Sequence, residues 1–534
     1  MTVDGAPVIV GVGPVSFTDL VRVARYDALV ELGPDAQAAI DRARAVVDTL
    51  AASATGVYGI STGFGALATR YIPAERRVQL QKSLVRSHAA GSGPEVEREV
   101  TRGLMLLRLS TLATGHTGIR WETARLLAGL LSAGITPVVR EYGSLGCSGD
   151  LAPLASCALA LMGEGEVRDR GGTLMPAAEA LGAADLRPVE LAAKEGLALI
   201  NGTDGMLAML VLAITDLRML LKTADIAAAM SVEAQLATDR VFAADLQALR
   251  PHPGQALSAA NLRRILADSL VMASHRGRAG DGLGSDRSCH RVQDAYSLRC
   301  SPQVHGAARE TVDHAATVAA HELSAAIDNP VVIWDEGLEG RPPRYRLESN
   351  GNFHGAPIAY VLDFLAIVTA DVASIAERRT DRFLDRARNA GLPPFLADDP
   401  GVDSGQMIAQ YTQAAIVSEL KRLAVPASVD SIPSSAMQED HVSMGWSAAR
   451  KLRRSIDGLG RVTGIEVMTA ARALDLRAPL RPAPATAAVL RLLRERIPGP
   501  GPDRWLSAEI EASVLLVTSG AVLAAVENTI GDLS

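Results

Sequence analysis

The 534-residue sequence predicts a mainly α protein: a bundle of long helices with minor β-structure near the N-terminus and around residue 340. Three observations predict this. Apolar residues make up 48% of the chain but aromatics only 4%, so the core is mostly Ala, Leu, Val and Ile, of which Ala and Leu favour helix. Several long stretches are apolar nearly all round, as in the buried helices of a bundle. A short apolar run at residues 7–12, and the short segments 331–333 and 345–347, have the length of strands rather than helices.

Taken in order, residues 7–12 are expected to form one strand of a small hairpin. Helical text begins at Asp19, and residues 35–52 (DAQAAIDRARAVVDTLAA) are Ala-rich with well-spaced apolar positions. The loop YGISTGFG follows at residues 58–65. Helices are expected over 79–90 and 95–112, before a second loop at 142–150. Residues 205–237 read as one long, sparsely charged helix. In 307–328, Val312, Ala316, Ala319, Leu323 and Ile327 recur at three- and four-residue spacing. Residues 355–378 and 447–474 look alike, and 331–333 with 345–347 suggest a hairpin. Flexible segments are expected at 276–291, 335–344 and the PGPGP run at 498–502. The length suits two or three lobes: an N-terminal domain over 1–204, a central long-helix bundle over 205–480, and a C-terminal helical segment over 481–534 packed on the bundle.

Composition excludes several function classes. With 53 basic and 60 acidic residues the net charge is −7, so the basic footprint of a nucleic-acid binder is absent. The four cysteines, Cys147, Cys157, Cys289 and Cys300, form no CxxC pair, which argues against a disulfide framework or a zinc ribbon. The first residues lack a signal peptide's basic and apolar regions. The apolar runs at 205–215 and 512–526 are shorter than a membrane span. A cytoplasmic location with reduced thiols is expected. There is no GxxxxGK[ST] and no GxSxG, GVG (11–13) and GFG (63–65) lack the third glycine of a dinucleotide fingerprint, and His321-Glu322 has Ala325 where a zinc-protease helix needs its second ligand. The ten histidines show no metal-ligand spacing.

What remains is a set of polar loops in apolar text. The segment GSLGCSGD (143–150) packs three glycines and two serines into eight residues and leads into a helix that Asp150 is expected to cap, with Pro153 in its first turn. One reading is a tight turn before a helix. The other is backbone chemistry: in Xaa-Ser-Gly, the bare glycine lets its amide nitrogen approach the preceding residue's carbonyl carbon. Ring closure with loss of two waters then turns Ser148 into a methylidene, an electrophile made only of protein. Further polar clusters are NGTD (201–204), RVQDAYSLR (291–299), NGNFH (350–354) and MQEDHVSM (437–444). If helical, Gln293 and Tyr296 share a face, as do Tyr296 and Arg299.

These blocks resemble those of the aromatic amino acid ammonia-lyases and related aminomutases. The resemblance rests on GSLGCSGDLAPLA, YGISTGFG, LVRSHAAGSG, KEGLALINGT, RVQDAYSLRC, SNGNFHG and SSAMQEDHVSMG, in family order from Tyr58 to Gly445. It implies the long-helix, fumarase/aspartase-like fold and no external cofactor. The electrophile it implies is 4-methylidene-imidazol-5-one (MIO), formed from Cys147, Ser148 and Gly149. His88 and Glu439 look like the histidine branch of the family, whose actinobacterial members are most similar; a carboxylate suits an imidazole and is costly beside a phenyl ring. Three positions depart from commoner patterns: Cys147 for Ala, Asp204 for Gln or Ser, and Ser61 for Asn. The side chain of Cys147 stays outside the ring, so cyclisation should survive, and its thiol is expected to be open to oxidation or alkylation.

The resemblance implies loss of ammonia from L-histidine to give trans-urocanate. It assigns Tyr58 as base for the β-proton, with its phenol pKa lowered by the site, and Glu439 as rival base or imidazole anchor. Arg299 would clamp the substrate carboxylate. Tyr296 and Gln293 would border the electrophile and the substrate, and Asn201 would hydrogen-bond one of them. His88 and Glu439 would read the imidazole, and Phe353 would pack near the electrophile. A helix N-terminus after Asp150 would raise its electrophilicity. Family members are homotetramers whose active sites are shared between subunits; no metal, nucleic acid or membrane partner is implied. The alternatives are a tyrosine ammonia-lyase or aminomutase on the same scaffold, and a non-enzymatic helical assembly protein.

Overall fold

The computed structural model describes residues 5–53, 56–147, 149–275, 293–335 and 344–534. Ser148, Cys289, the 276–291 segment and most of 335–344 lie outside the described residues.

The expected long helices form, with ends shifted by a few residues: Pro34–Ala52, Arg77–His88, Arg98–Ala113, Asp204–Ala234, Ser301–Leu323, Ala356–Leu384 and Gly445–Asp475. Residues divide into two compact units. The first holds 1–212, 316–363 and 426–450; the second holds 213–315, 364–425 and 451–534. The helices Asp204–Ala234, Ser301–Leu323, Ala356–Leu384 and Gly445–Asp475 each include residues of both.

The first unit carries the small sheets. Strand Val8–Val10 pairs parallel with Val30–Leu32 across the helix Phe17–Tyr26, which corrects the expected hairpin. A hydroxyl–carboxylate capping box of Ser16 and Asp19 starts that intervening helix, so the chain returns to its strand in the same direction. The later hairpin is antiparallel, with Val331 opposite Glu348 and Asp335 opposite Arg344. Its Val332 is buried with Ala43, Val46, Val47 and Ile60, on the apolar face of Pro34–Ala52.

In the second unit, polar side chains buried inside long helices find one another. The Arg379 guanidinium meets the Glu466 carboxylate with both forks, at 2.5 and 2.9 Å, and Ser231 Oγ donates to the same carboxylate at 2.7 Å. Arg379 and Glu466 are both fully buried. Asp225 accepts from Ser258 Oγ, Asn261 Nδ2, His305 Nδ1 and Arg309 Nη2 at 2.6–3.0 Å. Burial alone would raise the Asp225 carboxyl, but the His305 and Arg309 contacts outweigh it and hold the group below the usual range.

The helix Ala356–Leu384 corrects the reading of apolar runs. It is long and apolar enough by length and composition to cross a membrane, and 61% of its most apolar window is buried within the protein. Asp363 on it is buried and accepts the Ser428 N–H at 2.8 Å. Tyr360, Phe364 and Ile367 lie exposed along one face at i, i+4 and i+7.

Replacing Arg379 by Met strands a buried Glu466 carboxylate and should cost about 3–5 kcal/mol. Pairing it with Glu466→Leu should restore most of that, as measured by denaturant unfolding.

Candidate functional site

A cavity of about 590 Å³ in the first unit is lined by Tyr58, His88, Asn201 and Glu439, with Leu197, Asn329, Ser435 and Ala436 among its walls. That volume falls within the range of small-molecule sites. Of the residues the sequence singled out, these four share it. Phe353 is half-buried and is not among the lining residues. Gln293, Tyr296 and Arg299 belong to the second unit. There the helix runs only Tyr296–Arg299, so Gln293 lies outside it and the expected shared face with Tyr296 is absent. Tyr296 is 71% exposed, and the Arg299 guanidinium stacks over its ring at 4.6 Å.

Tyr58 sits on a turn closed by Ser61. The Ser61 hydroxyl accepts the Val57 N–H at 2.9 Å and its own N–H returns to the Val57 carbonyl. A short side-chain acceptor is what this turn uses, and serine supplies it. The Tyr58 hydroxyl accepts the Gly65 N–H at 3.4 Å. Burial pushes its phenol up, and the nearby Glu439 and Asp328 carboxylates push the same way. The expectation that the site lowers this group is therefore corrected: burial and the two carboxylates outweigh the Gly65 N–H, which pulls the other way.

His88 ends the helix Arg77–His88. Its Nδ1 lies 2.9 Å from the Leu84 carbonyl, which can only accept, so Nδ1 carries the proton and Nε2 is an acceptor. Burial holds the ring below the usual histidine range despite the opposing pull of Leu84 and Glu439, which favours neutral imidazole.

Asn201 follows the helix Glu195–Ile200 and is 3% exposed. Its Nδ2 donates to the Asn329 carbonyl at 3.3 Å, while its Oδ1 is buried without a partner. The sequence reading missed what fixes this corner. Lys194 and Asp328, both fully buried, form an ion pair beneath it, and Asp328 also accepts the Asn329 N–H at 2.7 Å. Arg108 donates to the Ala198 and Asn201 carbonyls at 3.0 Å and pairs with Asp204 at 2.8 Å. The unusual Asp204 thus neutralises a buried arginine that holds the Asn201 backbone. Lys194 opens the KEGLALINGT segment, but only its depth in the fold distinguishes it from a surface lysine.

Close backbone contact holds Gly149 and Asp150, just after Ser148. Gly149 has φ +73° and pairs with Gly202 in a parallel bridge. A Cβ on Gly149 would lie 1.9 Å from the Gly202 oxygen, and one on Gly202 would lie 2.0 Å from the Arg108 guanidinium. Asp150 does not cap the helix Leu151–Leu161 through its side chain. Its carboxylate instead accepts the Gly205 and Met206 N–H groups at 2.9 Å, capping the helix Asp204–Ala234, and takes the Ser144 hydroxyl at 2.8 Å. Burial pushes Asp150 up to about 7 against these donors.

Gly146, Gly355 and Gly445 close the same corner. A Cβ on any of them would meet the Met206 thioether at 3.2 Å or less. The Gly146 carbonyl accepts from Gly355 N and Ser443 Oγ at 3.0 and 2.6 Å. Three distant sequence blocks therefore share one methionine, and each approaches it at a glycine.

Cys147 is 5% exposed, and burial and Glu439 push its thiol up to about 12. It is a protonated, shielded thiol, which corrects the expected reactivity. No group of three or more metal-ligating side chains occurs among the described residues. A ring built from residues 147–149 fits what surrounds it: a glycine at 149 with no room for a side chain, and the unpartnered Asn201 oxygen in the adjoining cavity.

For Asp150 the folded pKa lies above the unfolded one, so the native state binds the extra proton between about pH 4 and 7 and stability falls as pH rises through that window. Asp150→Asn removes this slope. Its unfolding free energy relative to the parent should improve by roughly 2–4 kcal/mol from pH 4 to pH 7, measured by denaturant titration at each pH.

Comparison with known proteins places this geometry. Residues 15–495 match the family model described as aromatic amino acid lyase. The chain is 60% identical to the histidine ammonia-lyase of Streptomyces griseus over 530 residues, covering 99% of each. Its fold matches tyrosine aminomutase from Streptomyces globisporus with a TM-score of 0.90 at 35% identity, covering 99% of this chain and 100% of that one. It matches histidine ammonia-lyase from Trypanosoma cruzi with a TM-score of 0.87 at 37% identity, covering 98% and 96%. With a cavity walled by the family's own sequence blocks and a family match across most of its length, this chain belongs to the aromatic amino acid lyases.

Proposed function

We propose that the protein is an L-histidine ammonia-lyase that releases ammonia and trans-urocanate. The observation that carries this reading is the pair of acceptors in one cavity: His88, whose Nδ1 is turned to the Leu84 carbonyl so that Nε2 is left to accept, and the Glu439 carboxylate. A histidine imidazolium has two N–H groups to offer them. A tyrosine side chain has one O–H and a phenylalanine side chain none, so either would leave at least one of these two half-buried acceptors without a partner from the substrate. The 60% identity to a histidine ammonia-lyase supports the same choice over the aminomutases, which are more distant.

Cys147, Ser148 and Gly149 are the residues we assign to MIO, a group that supplies an electrophile to activate the substrate amine for departure. Asn201 offers its free Oδ1 to an N–H donor at this end of the cavity. The start of the helix Leu151–Leu161 follows the tripeptide directly, and its dipole favours negative charge there. Tyr58 is assigned as the base for the β-proton. Burial, with the Glu439 and Asp328 carboxylates, raises its phenol, and positive charge brought near it would oppose that rise. The substrate ammonium and a carboxylate-clamping Arg299 supply charge of that sign. Glu439 then serves as imidazole anchor.

The assigned set is incomplete within the cavity, since Phe353 does not line it and Tyr296 is mostly exposed. A homotetramer in which neighbouring copies bring Phe353, Gln293, Tyr296 and Arg299 to each site completes it. The exposed Tyr360, Phe364 and Ile367 face supports burial against another copy. A cytoplasmic location goes with this reading.

Incubation with histidine, tyrosine and phenylalanine separately, followed by the ultraviolet absorbance of each unsaturated acid, tests the substrate. Absorbance should grow with histidine alone and fall to background in Ser148→Ala. Growth with tyrosine alone contradicts the assignment, and chromatographic detection of a β-amino acid product would indicate an aminomutase.

A further inference from the structure

The Sγ of buried Cys147 lies 3.6 Å from Glu439 Oε2. An ionised carboxylate only accepts, so the thiol is the donor, and a charged acceptor strengthens what is otherwise a weak S–H bond. The same oxygen accepts the Ser434 hydroxyl at 3.0 Å. Ser434 and Glu439 also pair through their backbones in both directions, at 2.9 and 3.3 Å. The turn between them passes through Ser435, Ala436 and Met437 at φ +49°, +52° and +67°, a left-handed run of non-glycine residues. Such a turn persists only where its surroundings define it closely. Oε2 is therefore held from two sides: by a hydroxyl on its own turn and by a thiol nearly 300 positions away in sequence.

We propose that Cys147 is a positioning residue for substrate recognition: with Ser434 it clamps Glu439 Oε2 and so presents Oε1 to the substrate's side-chain N–H. The inference rests on Glu439 anchoring the imidazole, as proposed above. It gives the first residue of the cyclising tripeptide a second task, performed by its side chain while its backbone belongs to the ring. An alanine at this position would leave the carboxylate with the Ser434 donor alone.

The test combines a spectrum with a kinetic split. An infrared difference spectrum of wild type minus Cys147→Ala isolates one S–H stretch among the four cysteines. The band should sit at the lower frequency of a hydrogen-bonded thiol. In Glu439→Gln, with its own Cys147→Ala control, it should move toward the free-thiol position. Cys147→Ala should raise KM for histidine about fivefold, the loss expected for one hydrogen bond of about 1 kcal/mol, by a larger factor than it lowers kcat. Cys147→Ser, which keeps a donor, should recover most of that loss. A band at the free-thiol position in wild type overturns the contact. A shifted band with KM unchanged in Cys147→Ala overturns the positioning role. The infrared arm needs no substrate, so it decides the contact even if wild type fails to turn over histidine, a result that would instead refute the proposed function.

Discussion

Where Gly149 meets Gly202, two backbones touch with no space for a side chain on either. That contact sets the geometry of the cavity corner. It aligns the loop before the helix Leu151–Leu161 with the start of Asp204–Ala234, and Asp150 then spans the two by capping the second helix from the first. A buried carboxylate is an expensive fastener, as its rise to about 7 shows. It is tolerated because three donors satisfy it and because two otherwise orphaned N–H groups of a long helix need an acceptor.

Buried charge is used the same way elsewhere in the first unit. Lys194 with Asp328 and Arg108 with Asp204 flank Asn201, one pair behind its side-chain partner and one behind its backbone. Replacing such pairs with apolar residues is often neutral or stabilising, so their value here lies in direction more than in stability. They fix where one amide oxygen stands free. The second unit repeats the device with Arg379 and Glu466, and with Asp225 and its four donors, between long helices that apolar contact alone would allow to slide.

The helices were legible because their signal is local: Ala-rich spacing brought Pro34–Ala52 and Asp204–Ala234 to within a few residues of their observed ends. The polar blocks were legible as loops of unusual density and hold Asn201 and Glu439; Tyr58, on its glycine-rich loop, and His88 were assigned only through the family resemblance, and the four share one cavity. What escaped the sequence depends on distant partners. Asp150 stands before one helix and caps another. The first short strand pairs in parallel because a helix, not a turn, separates it from its neighbour. Tyr58 was expected to be an acidic phenol, yet burial raises it, and the Glu439 and Asp328 carboxylates that add to the rise come from segments hundreds of residues away. Cys147 reads as a reactive thiol until Glu439 is placed beside it. Periodicity contains no information about any of these meetings.

The proposed function requires an electrophile formed by the chain itself, next to a glycine at 149 that has no room for a side chain. Intact-protein mass spectrometry of the purified, unmodified protein tests that claim most directly. A mass lower than that of the sequence by two waters, with the loss mapping to the peptide containing Cys147, Ser148 and Gly149 and absent from Ser148→Ala, is the predicted result. An active protein with the full sequence mass would contradict it.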